Sequence, residues 1–245
     1  MLRSVKYLEG FAIWAREGMI GTVRSFLFDS RSWIIRYVVG RTGTWLSRRE
    51  ILIAATALGR PDWRGRIFPV DLTQERIMNS PAIDAGAPVS REREEELHRH
   101  YDWVPYWGAV HGPAPLPTAT VEASPGAVAV EEAQGNSGLR STRQVRGYRI
   151  HATDGRIGRV VDFIVSDEDW VIRYLVIDTG RWWPGRQVLI SPEWVGHIRW
   201  EEREIRLEVT RQTIAGSPPY DPSAPVNREY ETQMYDYYGR PRYWT

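Results

Sequence analysis

The chain has 245 residues, 42% hydrophobic and 26% charged, with a formal net charge of +1 and no cysteine. This composition suits folded units of ordinary size and excludes a disordered chain, a disulfide framework, thiolate catalysis and cysteine-ligated zinc. The near-neutral balance also lacks the concentrated basic field of a protein whose main partner is nucleic acid.

Met1–Tyr7 lacks the apolar stretch of a secretory signal, and no run of about 18 apolar residues occurs. The expectation is a cytoplasmic protein without a transmembrane segment, with peripheral membrane association left open. Basic residues are almost all arginine, Lys6 being the single lysine.

From Phe11 to Gly108 the sequence returns as Tyr148 to Thr245, at a constant offset of 137 with no insertion or deletion. Gly18, Ile20, Gly21, Val23 and Phe26 recur as Gly155, Ile157, Gly158, Val160 and Phe163. Trp33, Ile35, Arg36, Tyr37, Val39, Thr42, Gly43 and Trp45 recur as Trp170, Ile172, Arg173, Tyr174, Val176, Thr179, Gly180 and Trp182. An internal duplication predicts two units of one fold, residues 1–108 and 147–245.

Within each unit, Gly21–Phe28 and Gly158–Val165 read as strands rich in β-branched and aromatic residues. Polar turns follow, Asp29–Ser32 and Ser166–Asp169, and then return strands at Trp33–Gly40 and Trp170–Ile177, which completes a hairpin. Further strands are predicted at Glu50–Ile53 and Gln187–Ile190, and at Ile67–Val70 and Ile205–Val209. Short strands without a long amphipathic helix among them predict a mainly β fold of two small closed barrels, because closure removes exposed edges. Thr73–Ile77 and Thr210–Ile214 look like single capped helical turns. Ser90 and Asn227 are N-caps for helices of about three turns ending near Tyr101 and Tyr238. Residues 109–146, rich in Ala, Pro, Gly, Ser and Thr, are expected to form a largely disordered linker.

The pattern Gly-x-Ile-Gly-x-Val-x-x-Phe, the polar turn, Trp-x-Ile-Arg-Tyr-x-Val and the Thr-Gly-x-Trp segment before Leu52-Ile53 and Leu189-Ile190 resemble the PRC-barrel domain. That fold is named for the cytoplasmic domain of the photosynthetic reaction-centre H subunit and also occurs at the C-terminus of the ribosome maturation factor RimM. The Ser-Pro-x-x-Asp and Pro-Val-x-Arg-Glu elements with the later Tyr-Trp look like the extension of bacterial members carrying two such barrels. The resemblance covers nearly the whole chain outside the linker and implies two PRC-type barrels that act by docking onto other macromolecules. It brings no catalytic residues with it.

Residue types that carry chemistry are sparse. His98 and His100 are two apart, which on a helix points them to different faces, and their counterparts are Tyr235 and Tyr237. Asp167, Glu168 and Asp169 are adjacent rather than spaced as in a calcium loop, and read as a solvated turn. No phosphate loop and no nucleophile elbow occur. Catalytic, cofactor and metal residues are therefore assigned to none, and the expectation is a non-enzymatic protein.

Two sets of residues remain as candidates. Arg31, Arg36, Arg41, Arg48, Arg49 and Arg64, with Arg60, Arg66 and interleaved Trp33, Trp45 and Trp63, could hold RNA by phosphate contact and stacking. Trp183 and Trp194 face Leu46 and Ala57 in the alignment of the units and, if exposed, would serve as protein-interaction anchors. The sequence thus favours a protein-interaction or scaffold module, with a membrane-associated complex among its possible partners. The alternatives are an RNA- or ribosome-associated factor, and a small-molecule or ion binder at the barrel-barrel interface.

Overall fold

In the computed structural model, residues 1–43, 49–81, 83, 88–107, 137–180 and 185–244 are described. The first half contains β1 (Leu2–Ser4), α1 (Val5–Leu8), β2 (Ala12–Ala15), β3 (Gly18–Asp29), β4 (Ile35–Thr42), β5 (Arg49–Ala54), β6 (Ile67–Pro69), α2 (Gln74–Met78) and α3 (Arg91–Tyr101). The second contains β7 (Leu139–Ser141), α4 (Thr142–Val145), β8 (Arg149–Ala152), β9 (Gly155–Ser166), β10 (Ile172–Asp178), β11 (Gln187–Ile190), β12 (Val195–Arg199), β13 (Glu204–Leu207), α5 (Arg211–Gly216) and α6 (Arg228–Tyr238). The predicted strands, capped turns and three-turn helices are present, and equivalent long strands, β3 and β9, begin 137 residues apart.

Each half supplies one mainly antiparallel sheet, in the orders β5-β4-β3-β2-β6 and β11-β10-β9-β8-β13-β12. The β2–β6 and β8–β13 pairs are parallel. Gly21 and Gly158 sit where β3 and β9 cross the following strand so closely that a Cβ would overlap the carbonyl oxygens of Arg41 and Asp178. The repeated glycines thus allow a close approach of backbones rather than a ligand loop.

The expected closed barrel does not form: among the described residues both strand paths are open. The ends of the long inner strands β9 and β3 are instead covered from the opposite half. β1 pairs antiparallel with β9 of the second half, Leu2 opposite Ser166, and β7 pairs antiparallel with β3 of the first half, Leu139 opposite Asp29. Both exchanged strands read Leu-Arg-Ser, at positions related by the same offset of 137. The predicted linker therefore stops sooner than residue 146, since Leu139–Val145 forms β7 and α4; residues 109–136 lie outside the described residues.

Further contacts tie the halves in matched pairs. Ser30 N donates to Gly138 O at 3.0 Å, and its equivalent Asp167 N donates to Met1 O at 2.9 Å. Ile34 and Val171 form a bridge flanked by Ile35 N to Trp170 O (2.8 Å) and Ile172 N to Trp33 O (2.9 Å). Trp33 and Trp170 both adopt φ 58°, a left-handed conformation that is costly for a bulky residue and persists only where the surroundings over-determine it. The reciprocal hydrogen bonds and the rings supply that constraint. Trp33 stacks on Phe28 at 5.0 Å, while Trp170 crosses to Phe26 and Phe68 of the first half at 6.2 and 5.9 Å. Buried side chains of both halves belong to one continuous core.

At the centre of this pairing Glu9 meets Arg146, its own equivalent in the other half, with Nη1 to Oε2 at 3.2 Å. The pair is mostly buried, so an uncompensated charge there is costly. Reversing one partner, Glu9→Arg, is expected to destabilise the chain by roughly 2–4 kcal/mol. The double reversal Glu9→Arg/Arg146→Glu should restore most of that loss in urea unfolding, and no recovery would show that the pair does not join the halves.

Candidate functional site

The helical extension of each half carries a buried carboxylate that the sequence did not mark. Ser90 caps α3 by accepting from Arg93 N (3.3 Å), and Asn227 caps α6 by accepting from Tyr230 N (2.9 Å). From these starts, Glu94, Leu97, His98 and Tyr101 fall on the buried face of α3, at spacings of three and four residues.

Glu94 is fully buried and receives three hydrogen bonds. Tyr37 and Tyr106 hydroxyls donate to Oε1 at 3.0 and 2.8 Å, and Arg91 Nη1 donates to Oε2 at 2.7 Å. The second half repeats this at Glu231, with Tyr174 and Tyr243 hydroxyls on Oε1 at 2.6 and 2.9 Å and Arg228 Nη1 3.0 Å from Oε2. Arg36 lies over the Tyr106 ring at 4.2 Å and Arg91 over Trp107 at 4.3 Å; Arg173 over Tyr243 and Arg228 over Trp244 match them.

Burial pushes the Tyr37, Tyr106 and Tyr174 phenols far up, so these hydroxyls remain donors. Burial also raises the Glu94 carboxyl, opposed by its bonds from Tyr106, Arg91 and Tyr37. A carboxylate saturated by two phenols and a guanidinium fastens the helix and the Tyr-Trp tail to the sheet beneath. A glutamate kept in the first helical turn of both halves, within Arg91-Glu92-x-Glu94 and Arg228-Glu229-x-Glu231, was the sequence signal for it.

The arginine candidates do not form one binding face. Arg36 stacks on Tyr106 and lies 3.7 Å from Asp29. Arg49 donates to the carbonyls of Met78 and Ser80, while Arg66 donates to those of Tyr7 and Glu9. Arg41 is paired in register with Glu50 across β4 and β5. Arg31 and Arg64 are exposed in separate turns, and Arg48 lies outside the described residues.

Trp194 does not meet its condition of exposure: at 6% exposed, it packs on Tyr235 at 5.1 Å and Tyr238 at 4.7 Å. Its extra volume relative to Ala57 fills the space beneath α6, so it belongs to the core. Trp183 lies outside the described residues. The acidic turn is likewise occupied: Asp167 pairs with the Met1 terminus and with Arg3 Nε (3.2 Å), and Asp169 pairs with Arg173. Among the described residues no group of three or more His, Asp and Glu side chains is placed to hold a metal ion, and no helix is long and apolar enough to cross a membrane.

A groove does open where the halves meet, between Leu2, Ser4, Lys6 and Tyr7 on one side and Asp162 and Tyr220 on the other. Asp162, whose counterpart is Ser25, accepts from Ser4 Oγ and from Lys6 N (3.1 Å). Burial pushes its carboxyl up, and burial with the nearby Asp162 pushes the Tyr220 phenol up to about 12.

Residues 139–214 match the family model of the PRC-barrel domain, and no curated protein matches the chain. The match begins on β7, the strand that hydrogen-bonds to the first half. The domain delimited by sequence and the sheet delimited by hydrogen bonds are therefore different sets of residues.

If the buried carboxylate fastens the extension, Glu231→Ala leaves two phenols and Arg228 without their acceptor and should cost about 3 kcal/mol in urea unfolding. Glu231→Gln keeps an acceptor oxygen and should cost less than half as much. Equal losses would show that packing, rather than the acceptor, holds α6.

Proposed function

We propose that the chain is a non-enzymatic tandem PRC-barrel protein, two related units of one duplicated fold, acting as a protein-interaction or scaffold module. The exchange of β1 and β7 supports a single rigid platform rather than two independent beads. The saturated carboxylates support a structural use for the most strongly perturbed groups.

The observation that carries the docking reading is a difference between the halves. Trp14 and Met19 are cross-strand partners on the β2–β3 hairpin and are 45% and 53% exposed; Met78, at the end of α2, is 41% exposed. Their counterparts are His151, Arg156 and a buried Ala215. Paired exposed apolar side chains at a hairpin tip are expensive to leave in water and are suited to a partner's apolar surface. The groove beside Asp162 favours a small ligand at the junction of the halves as the second reading. The RNA reading draws less support, because Arg36, Arg49 and Arg66 are engaged within the chain.

Affinity capture from native lysate, comparing the natural chain with Trp14→His/Met19→Arg, tests the docking face. The double variant copies the second half and is expected to unfold at an unchanged temperature while losing the captured proteins, soluble or membrane-derived. Undiminished capture would remove the hairpin from the reading.

A further inference from the structure

The two buried carboxylates differ in one neighbour. His98, one helical turn beyond Glu94, stands where the second half has Tyr235. His98 Nε2 lies 2.6 Å from Tyr37 Oη, and Nδ1 lies 3.3 Å from the Trp103 carbonyl oxygen. Its ring packs on Trp103, Tyr106 and Trp107, with centroids at 5.8, 6.3 and 4.6 Å. Several titratable or charged groups face this cluster. α3 brings Glu94 and Arg91, β4 brings Tyr37 and Arg36, β3 brings Asp29, and the tail after α3 brings Tyr106.

Tyr37 has one hydroxyl proton and two neighbours that can take it. If it donates to Glu94, Nε2 must carry a proton to meet the Tyr37 oxygen. The Trp103 carbonyl needs a proton on Nδ1 as well, so the imidazole is charged. If Tyr37 donates to Nε2 instead, the imidazole is neutral with its proton on Nδ1, and Glu94 must be protonated to bond the Tyr37 oxygen. Both satisfied arrangements hold one titratable proton between Glu94 and His98. With none, two acceptors face each other across Tyr37 or a lone pair faces the Trp103 carbonyl. With two, Tyr37 meets donors on both sides and an imidazolium is buried near Arg91 without an ionised partner.

We propose that Glu94, Tyr37 and His98 form a relay that holds one shared proton and locks the Trp103–Trp107 segment onto the first half, and that a second proton releases it. This device is independent of the docking hairpin. The second half has no equivalent, because the Tyr235 hydroxyl, held by Ser191 and Tyr174, does not take up a proton in acid.

Burial raises the Glu94 carboxyl, opposed by its bonds from Tyr106, Arg91 and Tyr37, and lowers the His98 imidazole, opposed by its bond to the Trp103 carbonyl. A lowered imidazole value means that the neutral ring's contribution is complete above the ordinary 6.5 and is lost as pH falls through the lower folded value. A raised carboxyl contributes below its ordinary 4.5, and that contribution is lost as pH rises through the higher folded value. Loss of the shared proton leaves one unmet contact while Arg91 and Tyr106 still hold the carboxylate, whereas a second proton also buries an imidazolium near Arg91, so the larger loss is on the acid side.

Side-chain nitrogen NMR of the full chain between pH 8 and 4, followed together with tryptophan near-UV dichroism, tests the relay. At neutral pH His98 should carry its proton on Nδ1 and accept at Nε2, or carry both protons. A tryptophan signal should be lost in a step below pH 6.5. His98→Tyr, the residue of the second half, should fold and lack that step, and Tyr37→Phe should shift it. Should His98→Tyr fail to fold, the nitrogen spectra and the Glu94 carboxyl carbon shift of the natural chain decide together, and a neutral Nδ1-protonated ring beside an ionised Glu94 at neutral pH would also overturn the proposal. A neutral His98 protonated on Nε2, or an imidazole that charges at the ordinary value with no tryptophan change, would overturn the proposal. A step that survives in folded His98→Tyr would do the same.

Discussion

The reciprocal donation of a three-residue strand governs the rest of this structure. β3 and β9 are each twelve residues long, whereas β2 and β8 are four. Beyond the end of its short partner, each long strand would present unpaired backbone groups along an edge. A small barrel can remove such an edge by closing. Here β7 and β1 remove it from outside, and their short ladders carry strain-bearing consequences inward. The hairpin turns must meet, Trp33 and Trp170 must adopt left-handed conformations, and Trp170 must fill space beside Phe26 and Phe68. Neither half owns a complete set of hydrogen bonds without the other.

The second layer of organisation follows from the first. Once a sheet is fixed, α3 or α6 has to cover it, and an amphipathic helix with few large apolar residues cannot do so by burial alone. α3 brings Leu97 and Tyr101 but also Glu94, and α6 brings Met234 and Tyr235 with Glu231. Burying a carboxylate is tolerable only where donors saturate it. Both sheets provide a tyrosine from the return strand of the hairpin, β4 or β10, and both tails provide another. A polar anchor of this kind is directional, so it fixes the rotation of the helix more narrowly than apolar packing would.

Much of this architecture was legible, and the parts that were not share a cause. The offset of 137 exposed the strands, the capped turns and the helices because each is long enough to show a period or a cap twice. The exchanged strands are too short for either signal. Leu139–Ser141 also adjoins a stretch rich in Ala, Pro and Gly, so composition hid it, although Leu2–Ser4 spells the same three residues. Which sheet a strand joins is decided by edges that exist only in three dimensions, hence the expectation of closure. Trp194 looked like an anchor because Ala57 lacks its bulk. A change of volume between repeats marks a surface or a repacked core equally well, and only burial separates them. Glu94 was overlooked for the opposite reason, since acidic residues in a first turn ordinarily belong to solvent and the helix dipole.

Where the halves agree, the structure uses the shared residues to build; where they disagree, it uses the difference to make them partners. Glu9 and Arg146 occupy equivalent positions and touch each other. Two copies of the first half, paired the same way, would oppose Glu9 to itself, and two copies of the second would oppose Arg146. Like charges at a mostly buried contact are repulsive, and a single chain carrying one of each avoids both mismatches. The same logic extends to the ends of the exchanged strands: Asp167 and its equivalent Ser30 each donate a backbone N–H across the junction, to Met1 O and Gly138 O, but only Asp167 adds a carboxylate, which pairs with the Met1 terminus and Arg3. The opposite charges thus suit each half to the other rather than to a copy of itself. Exposed differences with no such internal partner, as at Trp14 and Met19, are then the ones free to be read by something outside the chain.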